Sequence, residues 1–157
     1  MIVNRIWPEW DAYADTHVDV WLPNGAQAVL RRADGGESDS FAWPYSPDAV
    51  AWILTACNPR SVLLDDHVNA ERHDLLRDQL VEAGCVPYDT VGRDATSDWV
   101  EPGFLVVGEV GEFILKLAHE WEQNAVFRWT PDALAIVGVL QPGEHTMPWM
   151  LELAKPI

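Results

Sequence analysis

The chain is poor in cysteine and in positive charge, and it lacks any long apolar run. Its two cysteines, Cys57 and Cys85, sit in separate apolar stretches with no CxxC spacing. That excludes a disulfide framework and a thiolate zinc site and leaves two free thiols. Ten Lys and Arg stand against 25 Asp and Glu, a formal charge of −15. Such a surface repels phosphate backbones and anionic membranes, so nucleic acid and membrane surfaces are excluded as partners. No stretch approaches the roughly 18 to 20 apolar residues of a membrane span. The opening MIVNRIWPEW carries Pro and Glu where a secretory leader needs an apolar run, and the expected location is the cytoplasm. There is also no GxSxG elbow, HExxH pair, Walker loop or dinucleotide fingerprint, so the common motif-bearing enzyme classes have no foothold.

What is present suits one α+β domain over all 157 residues, long enough to bury about 70% of its unfolded surface without staples. Nine tryptophans supply large apolar bodies for the core and its rim, and the acidity keeps so aromatic a chain in solution or suits it to a basic partner. After a short helix around Trp7 to Tyr13, the alternation from His17 to Leu22, the turn Pro23-Asn24-Gly25 and the run Ala26 to Arg32 spell an N-terminal hairpin over about 17–32. Val50 to Cys57 is a nearly continuous apolar run stopped by Asn58-Pro59, the pattern of a central strand. A helix follows from Asp65 or Asp66 to Ala83, closed by Gly84, with Leu76, Leu80 and Ala83 along one face. Asn69, seven residues before Leu76, points at the sheet from the first turn. Strands are expected at Val86 to Val91 and Phe104 to Gly108. A second amphipathic helix spans Glu112 to Gln123, and a closing hairpin spans Ala125 to Trp129 and Leu134 to Leu140. The tail 141–157 is expected to lie over a sheet edge with a short helix around Trp149 to Leu153.

From Val50 the element order is β-α-β-β-α-β, a ferredoxin-like split core over about 48–140. Its antiparallel sheet is extended by the N- and C-terminal hairpins, with helices mainly on one face. Right-handed crossovers then bring four sequence-distant clusters to one end of the sheet. These are Thr55, Asn58, Arg60 and Ser61; Asn69, Arg72 and His73; Arg93, Asp94, Trp99 and Glu101; and Gln123 with Asn124. Asn58 before Pro59 is a turn former whose amide can bond its own backbone, and Asn69 and Asn124 can buttress that turn as scaffolding. Arg60, Arg72 and Arg93 either neutralise an acidic surface or, beside Ser61 and a helix N-terminus, make an anion pocket.

These residues also carry a resemblance. Thr55-Ala56-Cys57-Asn58-Pro59, Ser61, Asn69, Leu76, the Gly92 loop, Trp99, Glu101 and Gln123-Asn124-Ala125 resemble a bacterial family catalogued as domain of unknown function 3293. Trp10, Tyr13 and Thr16 resemble its opening, so the similarity covers about residues 10 to 140. Cys57 stands where that family often has an aromatic, and Trp99-Val100-Glu101 replaces Trp-Pro-Glu. The resemblance implies no activity, cofactor or catalytic residue.

Three functions compete. The first is a non-catalytic module holding a small polar or anionic ligand, or a partner's peptide, on a rim of Asn58, Arg60, Ser61, Asn69, Arg72, Trp99, Glu101, Gln123 and Asn124. The second is a hydrolase-like enzyme with Glu101 or His73 as general base and Ser61 as nucleophile. The third is an acidic factor binding a basic protein, which needs its carboxylates gathered on one surface. A metal site from Asp65, Asp66, His67, Asn69 and His73 is disfavoured because His67 and His73 face different directions on the helix, and no cofactor is expected. Exposed edge strands permit a homodimer and a covering tail a monomer.

Overall fold

The computed structural model of the chain describes residues 10–34, 42–94 and 98–153. Three helices, α1 (Trp10–Ala14), α2 (Asp66–Glu82) and α3 (Gly111–Glu120), accompany nine strands. These are β1 (His17–Trp21), β2 (Gln27–Arg32), β3 (Ala51–Leu54), β4 (Tyr88–Arg93), β5 (Val100–Val107), β6 (Ala125–Trp129), β7 (Leu134–Gly138), β8 (Glu144–Met147) and β9 (Trp149–Leu153). All belong to one antiparallel sheet in the order β8-β7-β6-β3-β5-β4-β1-β2-β9. The two outermost strands, β8 and β9, are separated in sequence by Pro148 alone. Opposite edges joined by one residue require the sheet to curl until it is nearly a barrel.

Local chemistry explains most elements. The β1–β2 turn uses Gly25 at φ 85°, and Asn24 Oδ1 accepts the Ala26 N–H at 2.9 Å. Gly84, at φ 86°, ends α2. There Cys85 N–H donates to the Leu80 carbonyl and Gly84 N–H to that of Val81, the paired bonds of a Schellman stop. Strand alternation splits the apolar residues into two layers. Val18, Leu30, Ile53, Leu105 and Phe127 fill the concave side, while Leu54, Phe104, Val106 and Val126 meet Leu76 and Leu80 of α2 and Ile114 and Leu117 of α3 on the convex side. Thus α2 and α3 share one face, and Tyr13 and Ala14 of α1 pack into the other.

The expected α+β class and antiparallel sheet are observed, with three differences. The tail holds no helix at Trp149 to Leu153 and covers no edge. It supplies both outer strands, because Met147, Met150 and Leu151 bury their side chains as strand residues do. The first central strand stops at Leu54 rather than running to Cys57. Strand β5 begins at Val100 and runs through Pro102, where proline suggested a loop. In an antiparallel strand a residue's N–H and C=O point the same way. The Pro102 carbonyl accepts the Thr55 hydroxyl at 2.8 Å, so its missing N–H faces the space beyond the end of β3 and costs the β4 ladder nothing. The early helix is seen at Trp10–Ala14, while Trp7 to Glu9 and Gly35 to Ser40 lie outside the described residues. Among the described residues no helix is long and apolar enough to cross a membrane.

If β9 is integral to the fold, Leu151→Ala, at a fully buried position paired across to Leu30, will cost about 2–5 kcal/mol in urea unfolding. A tail that merely covered an edge would tolerate the change.

Candidate functional site

The chain leaves β3 through a turn with unusual backbone. Asn58, Arg60 and Ser61 all hold left-handed conformations, at φ 49°, 54° and 61°, which cost non-glycine residues energy unless their surroundings hold them there. Asn58 is the buried hub of that support. Its Oδ1 accepts from Asn69 Nδ2 at 2.8 Å and from the Leu64 N–H at 3.0 Å, and its own N–H donates to Asn69 Oδ1 at 3.0 Å. Its Nδ2 donates to Glu101 Oε2 at 2.8 Å. Donor and acceptor are both needed, so neither Asp nor an apolar residue could replace either asparagine without leaving a buried group unpaired.

Other residues tie the turn to the α3–β6 junction. Gln123 Nε2 donates to the carbonyls of Cys57 and Trp121, and Asn124 Nδ2 donates to Ser61 Oγ at 3.0 Å. The Arg60 N–H donates to the Glu122 carbonyl at 2.8 Å.

Above this platform, at one end of the concave sheet face, lies a cavity of about 460 Å³. Its floor is apolar, with Val18, Ile53, Ala125 and Phe127, and Tyr13 comes in from α1. Thr55, Thr90, Gln123 and Glu101 add polar atoms, and Leu63, largely exposed, stands at its margin. Two glycines lie on its wall. A Cβ on Gly103 would come within 2.6 Å of the Leu54 carbonyl, whereas one on Gly92 would meet only ordinary contacts, the nearest being the Trp99 ring at 3.5 Å. Glu101 sits half-buried in this setting. Burial raises its carboxyl from about 4.5 to about 7, opposed only in part by the Asn58 amide.

All four clusters expected at this end of the sheet are found there, but not every member faces the cavity. Asn58, Ser61, Trp99, Glu101 and Gln123 line it, while Asn69 and Asn124 act one step behind through Asn58 and Ser61. The three arginines do not form an anion pocket. Arg60 pairs with Glu122 on the surface, and Arg93 pairs with Asp19 at 2.7 Å. Arg72 donates to the Ala56 and Trp121 carbonyls and lies over the Trp121 ring. Each is taken up by an acceptor of the protein itself. His73 stacks on Phe104, 4.2 Å between ring centres, on the helix-covered face. Glu101 and His73 are therefore on opposite sides of the sheet and do not form a common acid–base pair, and the bond Ser61 receives comes from an amide, not a base.

Sequence reasoning missed Thr90, Gly92, Gly103 and Tyr13 as lining residues. Strand alternation could have found the first three once the inward register of β4 and β5 was known, since Thr90 pairs with Gly103 and Gly92 with Glu101. Among the described residues no three His, Cys, Asp or Glu side chains are grouped to hold a metal.

A family model described as "Protein of unknown function (DUF3293)" matches residues 54–126. The match includes Asn58, Ser61, Asn69, Trp99, Glu101, Gln123 and Asn124 and is narrower than the similarity drawn from the residues, leaving Trp10, Tyr13 and Thr16 outside it. No curated protein and no solved structure matches the chain.

Two outcomes follow from this geometry. Asn69→Ala strips two hydrogen bonds from a buried partner and should lower unfolding free energy by about 1–3 kcal/mol. The folded-state value of Glu101 lies above its unfolded one, so the folded chain binds the extra proton, and stability contributed at low pH is lost as pH rises from about 4.5 through about 7. Glu101→Gln should remove that loss, gaining up to about 3 kcal/mol on wild type between pH 5 and pH 8 in denaturant titrations. Parallel pH curves for the two proteins would contradict it.

Proposed function

We propose that this chain, a member of the DUF3293 family, is a non-catalytic receptor that holds a small molecule in the concave end of its sheet. The single observation that carries this reading is the cavity of about 460 Å³ with an apolar floor and polar atoms converging from separate strands, the usual form of a small-molecule site. The left-handed turn at Asn58, Arg60 and Ser61 supports it, since such strain gathers at functional sites. The inner strand order β6-β3-β5-β4, with α2 and α3 on one face, supports reading the scaffold as a ferredoxin-like split unit whose free face carries the site.

The hydrolase reading has less behind it, because the partner of Ser61 among the described residues is the Asn124 amide and His73 lies across the sheet from Glu101. The acidic-factor reading has one observation in its favour, the exposed row Glu71, Asp74, Asp78 and Glu82 along α2. Arg77 offsets part of it by pairing with Asp74 at 3.1 Å.

Gly92→Val tests the cavity. The strand accepts a β-branched residue and the first added carbon meets only ordinary contacts, so the variant should unfold within about 1 kcal/mol of wild type. Its side chain should fill the pocket mouth beside Trp99. In a thermal-shift screen of small amines, alcohols, acids and amides, compounds that stabilise wild type should lose their effect on this variant. Shifts of equal size on both proteins would place binding elsewhere.

A further inference from the structure

The cavity's polar atoms are unbalanced. Gln123 and Thr90 are 3% and 2% exposed, well beyond nine-tenths buried. The Gln123 amide nitrogen is committed to two backbone carbonyls, and among the described residues nothing bonds its Oε1 or the Thr90 hydroxyl. Glu101 gives one oxygen to Asn58, and its other oxygen has no protein partner among the described residues. Among the described residues no lysine or arginine lines the space. The arginines nearest in sequence are held by Glu122, by the Ala56 and Trp121 carbonyls and by Asp19. The other titratable groups around the pocket are Asp15, Asp94 and Tyr13, with the Cys57 thiol close enough to feel Glu101. Asp15 is paired with Arg32 at 2.8 Å. The site therefore offers acceptors and a carboxylate over an apolar floor, with no positive side chain among the described residues.

Resting on the reading of this cavity as a small-molecule site, we propose that its ligand is an organic cation. A nitrogen head of ammonium type donates to Glu101 and Gln123, and its hydrocarbon body lies on Ile53 and Phe127. An anionic ligand would face the Glu101 carboxylate with no lysine or arginine among the described residues lining the cavity to neutralise it. A purely apolar ligand would displace water from Gln123 Oε1 and Thr90 Oγ1 and leave both unpaired. A cationic donor satisfies all three free acceptors and gains from a carboxylate in a partly water-excluded setting, where a charge-assisted bond is about twice as strong as a neutral one. The chain's charge of −15 also draws cations toward it at long range. Because Glu101 must ionise to act as counter-ion, cation affinity should fall roughly tenfold or more from pH 8 to pH 5.5.

The test is an NMR titration of the 15N-labelled full chain at pH 8 with 3-phenylpropylamine, 3-phenylpropanol and 3-phenylpropanoate, one skeleton with cationic, neutral and anionic heads. The expected result is shifts at the Thr90, Gly92 and Gly103 amides and the Gln123 side chain. The amine should bind at least tenfold more tightly than the alcohol, and the acid should not bind. In Glu101→Gln, still folded by its spectrum, amine and alcohol should bind alike and the pH dependence should vanish. Equal or tighter binding of the alcohol or the acid in wild type overturns the cation assignment alone, as does an amine preference that survives Glu101→Gln. Absence of shifts at these positions with all three probes overturns the cavity reading and this assignment with it.

Discussion

The constraint on which the rest of the structure depends is the single residue, Pro148, between the two outermost strands. With β8 at one edge of a nine-stranded sheet and β9 at the other, a one-residue link is satisfied only when the edges approach each other. The curl leaves β8 and β9 as short outer strands of four and five residues, and it turns one face inward. The inward positions are filled unequally. At one end Trp43, Tyr45, Trp129 and Trp149 pack edge to face, a dense aromatic plug. At the other, the inward positions are Thr55, Thr90, Gly92, Gly103 and Ala125. Small residues at one end of a curled sheet and indoles at the other leave a cavity at the first, and α1 closes over it without filling it.

The second dependency is local. Leu54 is the last residue of β3, and beyond it the chain must leave the sheet, pass Pro59 and enter α2 without burying unpaired backbone. Thr55 takes the Pro102 carbonyl and the Cys57 N–H, Asn58 takes Leu64, and Gln123 takes the Cys57 carbonyl. Side chains thus do the work of a ladder that has run out. Because Asn58 spends one amide proton on Glu101, the same network that stabilises the turn fixes the carboxylate in the cavity. Scaffold and site share one set of bonds, and a change to Asn58 or Asn69 acts on both.

Much of this was legible in the residues. The 3.6-residue periodicity gave α2 and α3, and the Asn-Gly and Thr-Pro-Asp turns gave two hairpins. Element order brought Asn58, Asn69, Glu101 and Gln123 to one end. What was not legible has physical causes. The tail reads as irregular because Pro142 and Pro148 interrupt it, yet β8 is short enough to lie between them and β9 starts directly after Pro148. Pro102 hides the start of β5 because only the tertiary structure shows that its missing donor faces no partner. The arginines misled for a related reason. A cation placed near a rim by topology says nothing about which acceptor it reaches first, and for Arg72 two backbone carbonyls were closer than any pocket. Gly92 reads as the start of a loop, and the place of Gly92 and Gly103 on the cavity wall appears only when the inward register of β4 and β5 is known.

Glu101 has no structural duty that would explain it. Asn58 would be equally satisfied by a neutral acceptor, since it gives Glu101 a single bond. Burial works against the charge, and among the described residues no lysine or arginine lines the cavity to offset it. In a chain selected for stability alone, a glutamine or a smaller polar residue would serve better at this position. The same holds for the strained turn and for Gly92, which leaves a void where a methyl could pack. These liabilities meet in one place, on strands otherwise packed with Ile53, Leu105 and Phe127. Liabilities scattered through a fold reflect tolerance, whereas liabilities that share one cavity are what the proposed binding role requires.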